Sequence, residues 1–401
     1  MTPILPGATI GFLGGGQLGR MTALAARAMG YRIHALDPDP ECAAEPVVDR
    51  LVTGRFDDAD AAANLARHCD VVTLEIELIG AASIAAASRH APVRPGPAVL
   101  DIVRDRGAQR AWLAASGFPQ GEWRRAASLE ELRDALDAIG GRAFVKATTG
   151  GYDGRSQVRV EGSAQSEDAW RQLADARSGA PRPTIVEKAL DLAHELSVMV
   201  ARSPRGETVV YPPALNHHER QVLSWSMLPG PLDAGLAARA VALARGIAET
   251  IGLEGILAVE MFLTTSGELL VNELAPRPHN SYHASELACQ TSQFEQLVRA
   301  VCDLPLGSVA VHRPAAIVNL FGDLWSDGAP NWSRALEVPG TRLHLYGKAS
   351  ARPGRKMGHL SAVGDTAADA LAIAQEAFAR LATGQGGAVR GAVLATDAAV
   401  S

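Results

Sequence analysis

Residues 255–280 read GILAVEMFLTTSGELLVNELAPRPHN. Two apolar runs flank Ser266-Gly267, which predicts an antiparallel hairpin closed by a two-residue turn. In that register Glu260 lies directly opposite Glu273. Opposed side chains on one face of a hairpin have Cβ atoms about 4.5–5.5 Å apart. Two carboxylates at that spacing repel and are costly among apolar neighbours. A divalent cation relieves the repulsion. Magnesium suits the pair, because it takes one or two carboxylates and completes its shell with phosphate oxygens and water. In an arbitrary hairpin, one glutamate facing solvent or an arginine would be the simpler reading. Here Arg277, His279 and Asn280 follow at once and make a corner suited to phosphate chemistry.

A second stretch, FVKATTGGYDGRSQ at 144–157, places Lys146 at a strand end before a loop with Gly150, Gly151 and Gly154. The lysine can neutralise phosphate, and the glycines let backbone amides approach it. The GxxxxGK[ST] order of a P-loop is absent, and a plain hairpin turn is the bland alternative. VEKAL at 186–190 adds a strand whose backbone end can hydrogen-bond an adenine edge.

Nearer the start, GFLGGGQLGR at 11–20 carries G-x-G-x-x-G through Gly14, Gly16 and Gly19, and RIHALD ends in Asp37. This is the dinucleotide fingerprint, and it raises a dehydrogenase as a rival reading. Strand and helix patterns alternate through the first hundred residues, which predicts a parallel, doubly wound sheet. APVRPGP at 91–97 marks a boundary. One helix is expected over 97–117, and another after the capping box of Ser128 and Glu131. Strands are expected at 142–147, 158–160, 183–190, 195–201 and 208–214, and a long helix at 234–252. The middle therefore reads as α+β with antiparallel strands. Past DLPLG at 303–307, a smaller region with short strands follows.

The 401 residues favour two or three domains, and a hydrophobic fraction of 47% with 20% charged residues suits a sizeable globular core. A net charge of −6 offers no footprint for nucleic acid. No apolar run reaches membrane-span length, and no signal peptide is expected. Cys42, Cys69, Cys289 and Cys302 lack zinc spacing and read as buried thiols in a reducing cytoplasm.

Six segments together carry a family resemblance: GGGQLGRM (14–21), RDRGAQR (104–110), GGYDGRSQ (150–157), VNELAPRPHNS (271–281), TSQFEQLVRAVCDLPLG (291–307) and HLYGKASARPGRKMGHL (344–360). With them the chain resembles the N5-carboxyaminoimidazole ribonucleotide synthetases of the ATP-grasp superfamily. The resemblance implies a Rossmann-like N-terminal domain (1–96), a central ATP-grasp domain (97–308, subdomains about 97–185 and 186–308) and a small β-rich C-terminal domain (309–401). It implies ATP-dependent carboxylation of aminoimidazole ribonucleotide with bicarbonate, and a cytoplasmic homodimer. ATP would be held by Arg106, Lys146, Gly151, Tyr152, Asp153, Gly154, Arg155, Ser156, Gln157, Glu187, Lys188, Ala189, Leu190, Glu195, His218, Asn272 and Glu273. Glu260 and Glu273 would hold Mg2+. Gln17, Leu18, Glu75, Asn280, Lys348, Arg355 and Lys356 would surround the ribonucleotide. Tyr152, Asp153, Arg277, His279 and Asn280 would lie near the reacting groups.

Five positions depart from the family pattern: Leu78, Ser156, Leu215, Tyr282 and Ala284. Tyr282 and Ala284 are expected to alter the surroundings of the reacting groups. The nearest rival is a formate-dependent glycinamide ribonucleotide transformylase, which shares the acidic doublet of EIE and the spacing of Lys348 to Arg355 and Lys356, and the departures at Leu78, Ser156 and Tyr282 leave another, a nucleotide-binding homologue without turnover.

Overall fold

Four short apolar runs build the first sheet. In the computed structural model, which describes residues 2–150, 156–174, 180–326 and 328–382, β1 (Thr9–Leu13), β2 (Arg32–Asp37), β3 (Arg50–Thr53) and β4 (Val71–Leu74) run parallel in the order β3-β2-β1-β4. The glycine fingerprint joins β1 to the helix Gln17–Ala28. Its anion pocket is filled from within. Glu75, just past β4, accepts the N–H groups of Gly16 at 2.6 Å and Gly19 at 2.8 Å. A carboxylate here caps the helix and complements its dipole. A Cβ on Gly14, at φ +107°, would sit 2.5 Å from Glu75 Cγ, and one on Gly16 would collide with Glu75 Oε1. The glycines therefore make room for Glu75. Asp37 accepts the Gly15 N–H at 2.8 Å and is structural.

Next, β5 (Trp123–Ala126), β6 (Ala143–Ala147), β7 (Gln157–Val160) and β8 (Thr184–Lys188) form an antiparallel sheet ordered β5-β8-β6-β7. Leu132, Leu136 and Ile139 of the helix Leu129–Ile139 pack on its Val145, Val160 and Val186.

A nine-stranded sheet carries the rest. It contains β9 (Leu192–Arg202), β10 (Thr208–Val210), β11 (Ala214–Glu219), β12 (Val222–Leu228), β13 (Gly255–Thr264), β14 (Leu269–Ala275), β15 (Ala315–Phe321), β16 (Thr341–Leu345) and β17 (Lys356–Val363). The order is β14-β13-β9-β11-β12-β15-β17-β16, with β10 beside β9. The C-terminal strands thus continue the central sheet through β12 and β15. No helix among the described residues is long and apolar enough to cross a membrane.

Several local expectations are corrected. The helix expected over 97–117 splits into Pro97–Val103 and Arg106–Ala115. Asp105 between them is extended and caps the second helix through the Ala108 N–H at 2.8 Å. The strand expected over 208–214 stops at Val210, and Pro212-Pro213 separates it from β11. The β11–β12 hairpin lacked a glycine or asparagine signal, because Arg220 and Gln221 themselves take φ of 48° and 68° in its turn. The alanine-rich helix Ala367–Ala382 lies in the region expected to hold short strands.

The turn of the β13–β14 hairpin differs too. Three residues, Thr265 to Gly267, span it, with Gly267 at φ +86° and Thr264 N–H bonded to Glu268 O at 2.9 Å. Pairing near the turn is therefore one residue off the two-residue register. A β-bulge at Asn272 restores it, and Glu260 pairs with Glu273 as expected.

Replacing Gly14 with alanine combines backbone strain with a clash against Glu75. The expected loss of stability is about 3 kcal/mol, read from the urea midpoint at neutral pH. An unchanged midpoint would refute the close packing of Glu75 in the loop.

Candidate active site

A cleft of ≈ 340 Å³ opens between the antiparallel sheet β5-β8-β6-β7 and the nine-stranded sheet. Alternation along the strands decides its lining. Phe144 and Lys146 share one face of β6, and Glu260 and Phe262 share one face of β13. On β14 the bulge makes both Asn272 and Glu273 face the cleft, which a regular strand would not do.

Glu187 lies between two cations. Lys146 Nζ is 2.6 Å from Glu187 Oε2, and Arg110 Nε donates to Oε1 at 2.7 Å. Burial alone would raise the Glu187 carboxyl, but the Lys146 and Arg110 charges overcome it and hold it at about 2. Arg110 also donates to Val271 O at 2.9 Å, so it ties Lys146 to β14. Arg106 starts its helix at the cleft wall and donates to Ala147 O at 2.8 Å. Glu195 Oε2 lies 2.8 Å from His218 Nδ1, and this carboxylate raises the histidine against the effect of burial.

The carboxylate pair has the donor set a hard cation needs. Glu260 Oε1 is 3.0 Å from His279 Nε2, and Glu260 Oε2 accepts from Asn272 Nδ2 at 3.1 Å. Burial favours protonation of Glu260, yet His279, His218 and Asn272 keep it ionised. Burial, then the Glu260 charge, pushes Glu273 up despite Arg106. Asn272 Oδ1 is buried without a hydrogen-bond partner. Glu260, Glu273 and the Asn272 carbonyl oxygen thus fit a magnesium ion by oxygen chemistry. His279 is oriented from behind, with Nδ1 2.7 Å from Ser281 Oγ and Ser281 Oγ 2.7 Å from Ser197 Oγ. Arg277 Nε pairs with Glu77 Oε1 at 2.8 Å, which links the first sheet to this corner.

The cleft brings together Arg106, Lys146, Ser156, Gln157, Glu187, Lys188, Leu190, Glu195, His218, Glu260, Asn272, Glu273, Arg277, His279, Asn280 and Lys356 from the expected set. Ala189 is not among its lining residues. Gly151, Tyr152, Asp153, Gly154 and Arg155 lie outside the described residues. Of the ribonucleotide set, Gln17 and Lys348 meet beside Lys356: Lys348 Nζ donates to Gln17 Oε1 at 2.6 Å and to Lys356 O at 2.7 Å. Leu18 is buried against Met21, Phe294 and Tyr346, and Arg355 bonds Ser350 O at 2.9 Å. Glu75 bonds the glycine loop, each oxygen accepting one backbone amide. Tyr282, one of the five departures, does not line the cleft. Its ring is fully buried against Tyr211, and its hydroxyl lies 2.9 Å from Ser197 O, turned into the core. Ala284 is also fully buried, while Leu78 is exposed.

Arg110, Glu77, Phe144, Gln221, Leu223 and Phe262 are site residues outside the expected set. Period-two alternation from Lys146 and Glu260 would have found Phe144 and Phe262. Leu223 and Gln221 sit on the unforeseen hairpin, and Arg110 and Glu77 meet their partners only in the folded chain.

Family models match along the chain: a ribonucleotide synthetase preATP-grasp domain at 7–104, an ATP-grasp domain at 111–294 and a phosphoribosylaminoimidazole carboxylase C-terminal domain at 315–373. The N5-carboxyaminoimidazole ribonucleotide synthase of Bacillus subtilis is 38% identical over 89% of this chain and 92% of its own length. The chain belongs to the N5-carboxyaminoimidazole ribonucleotide synthase family. The Brucella melitensis member is also 38% identical, over 90% of this chain and 98% of its own. A solved synthetase of this family in complex with ADP superposes with a TM-score of 0.86 at 39% identity, over 94% of this chain and 98% of that one. An Aspergillus clavatus member solved with ADP and 5-aminoimidazole ribonucleotide gives 0.84 at 29% identity, over 94% and 99%. The Rossmann-like, ATP-grasp and C-terminal parts of this fold are those of the family.

Glu187 predicts a pH signature. Its folded carboxyl titrates near about 2 against 4.5 unperturbed, so its stabilisation is complete above pH 4.5 and fades as pH falls through 2. Glu187→Gln leaves two buried cations without their anion and is expected to cost about 3 kcal/mol at pH 7. The gap to wild type should close on acidification, read by denaturant titration at stepped pH. A constant gap would sink the assignment.

Proposed function

We propose that this chain uses ATP and bicarbonate to carboxylate the exocyclic amine of aminoimidazole ribonucleotide, as an ATP-dependent carbon–nitrogen ligase of purine biosynthesis. One observation carries the reading. A single cleft holds a buried lysine–glutamate–arginine group, a paired carboxylate site with an orphaned amide oxygen, and Lys356 backed by Lys348 and Gln17.

ATP enters between the sheets. Phe144, Leu192, Leu223 and Phe262 offer apolar surface for its base, and the backbone at 187–190 offers an edge for hydrogen bonds. Lys146 and Arg106 offset phosphate charge. Magnesium, held by Glu260 and Glu273 with Asn272, supplies charge neutralisation for the transferring phosphoryl group when bound. Arg277 and Asn280 orient bicarbonate. A bicarbonate oxygen bonds to the γ-phosphorus as the β–γ bridging bond breaks, which yields ADP and carboxyphosphate. The amine then attacks the carboxyl carbon, inorganic phosphate leaves, and the amine proton passes to Asp153 or His279. Lys348, Arg355 and Lys356 grip the ribonucleotide's 5′-phosphate, and Gln17 sets the register of Lys348. The loop at Gly151 to Gln157 would close over the labile intermediate and exclude water. In this reading the protein is a cytoplasmic homodimer, and segments 1–96, 97–308 and 309–401 are its domains.

Phosphate release should require ATP, bicarbonate and aminoimidazole ribonucleotide together. Formate with glycinamide ribonucleotide should give none. Release with formate, or with no acceptor at all, would overturn the reading. Glu273→Gln should lower kcat by at least about 100-fold. Gln17→Ala should raise the ribonucleotide KM by roughly 10-fold, the scale of one charge-assisted hydrogen bond, and spare the ATP KM. The reverse pattern would move Gln17 to the nucleotide site.

A further inference from the structure

Behind the cleft, four rings stack in a column, three of them buried and the last, His344, half-buried. Phe294 and His283 lie 5.6 Å apart at 29°, His283 and His359 4.7 Å at 24°, and His359 and His344 4.5 Å at 7°. The family reading of the cleft makes no use of them. At one side of the column, the Tyr346 hydroxyl lies 2.8 Å from His359 Nδ1. The face of the same Tyr346 ring lies 5.5 Å from Lys348 Nζ. At the other side, Gln293 Nε2 donates to His283 Nδ1 at 3.1 Å and to His279 O at 2.9 Å. Gln293 Oε1 accepts the His279 N–H at 2.8 Å. An unbroken run of contacts therefore joins Lys348 to His279, and through His279 reaches Glu260. The strands have the same logic: β16 carries His344 and leads through Tyr346 to Lys348, while β17 carries Lys356 and His359.

A metal is the obvious alternative occupant of this cluster, since ligating atoms of Glu286, His344 and His359 come within 4.8 Å of one another. The ring geometry opposes it. Imidazole lone pairs lie in the ring plane, and two rings stacked at 7° aim theirs side by side. They do not converge on one ion as tetrahedral coordination requires. Stacking instead suits neutral rings, and burial, then the charges of neighbouring histidines, lowers His283 and His359 so that both stay uncharged at neutral pH.

We infer that Tyr346, His359 and His283 are positioning residues: they hold the Lys348–Lys356 phosphate grip in register with the catalytic corner at His279. The inference rests on the reading of Lys348 and Lys356 as the ribonucleotide's phosphate site. The column links the Lys348–Lys356 segment to the His279 corner, which in this reading hold opposite ends of one substrate complex. A shift of the grip by a fraction of an ångström misplaces the amine relative to the activated carboxyl group.

Tyr346→Phe tests this, because it keeps the ring beside Lys348 and removes only the hydroxyl. The expected result is a rise of about 3- to 10-fold in the ribonucleotide KM, the scale of one hydrogen bond. The ATP KM should stay close to wild type, and the thermal midpoint should fall slightly as buried His359 Nδ1 loses its partner. Calorimetric binding of ribose 5-phosphate reads the same grip without turnover and should weaken by a similar factor. Unchanged values for both, or equal rises in both KM values, would overturn the inference. Failure of wild type to bind ribose 5-phosphate would overturn it as well. Should wild type bind ribose 5-phosphate, the variant bind it more weakly, and neither carboxylate the ribonucleotide, the brace stands and the functional reading fails.

Discussion

Two glutamates must stand side by side in a buried strand pair, and much of the molecule serves to permit it. Glu260 and Glu273 pair across β13 and β14, the latter an edge strand. Like charges in such a place repel, and burial raises the cost of each. The bulge at Asn272 turns two consecutive polar side chains to one face, while Val271 and Leu274 remain in the core on the other. The helix Arg106–Ala115 then covers the edge. Gln109 Oε1 accepts the Leu274 N–H at 3.1 Å, and Arg110 donates to Val271 O at 2.9 Å. That one helix also presents Arg106 to the cleft and Arg110 to Glu187. Edge protection and charge placement are therefore one piece of structure.

The same economy governs the N-terminal loop. A helix N-terminus in a glycine turn is a ready anion site. Here the anion is Glu75 of the chain itself, bonded to Gly16 and Gly19. An internal carboxylate leaves no place for a dinucleotide's pyrophosphate. Burial pushes the Glu75 carboxyl up, and the Gly19 and Gly16 amides oppose that. The helix start is left to Gln17, which reaches Lys348 some 331 positions away in sequence. The fingerprint thus describes backbone geometry, and the ligand depends on what else enters the space.

Compensating effects explain why one expectation held for the wrong local reason. The hairpin was read with a two-residue turn, and the observed loop is a residue longer. The bulge at Asn272 absorbs that residue, so Glu260 still faces Glu273. A period-two pattern reveals which side chains share a face, but an inserted residue resets the phase without a composition signal. The β11–β12 turn was missed for a related reason: Arg220 and Gln221 adopt left-handed backbone that sequence reserves for glycine or asparagine. Tyr282, a departure from the family pattern three residues from His279, does not line the cleft. The short 3-10 turn Asn280–Tyr282 instead points it into the core against Tyr211.

The alternation of strand and helix in the N-terminal segment, the carboxylate-bearing hairpin, the lysine before the glycine loop and the basic segment near 348–356 were all legible in sequence. Each is local, and periodicity, capping and turn chemistry act over a few residues. Tertiary structure alone decided which charges neutralise one another. Lys146 finds Glu187 and Arg110, Arg277 finds Glu77, Gln17 finds Lys348, and His283 stacks on His359. These partners lie tens to hundreds of residues apart. No local pattern encodes them, because their pairing follows from how three sheets stack and which faces they bury.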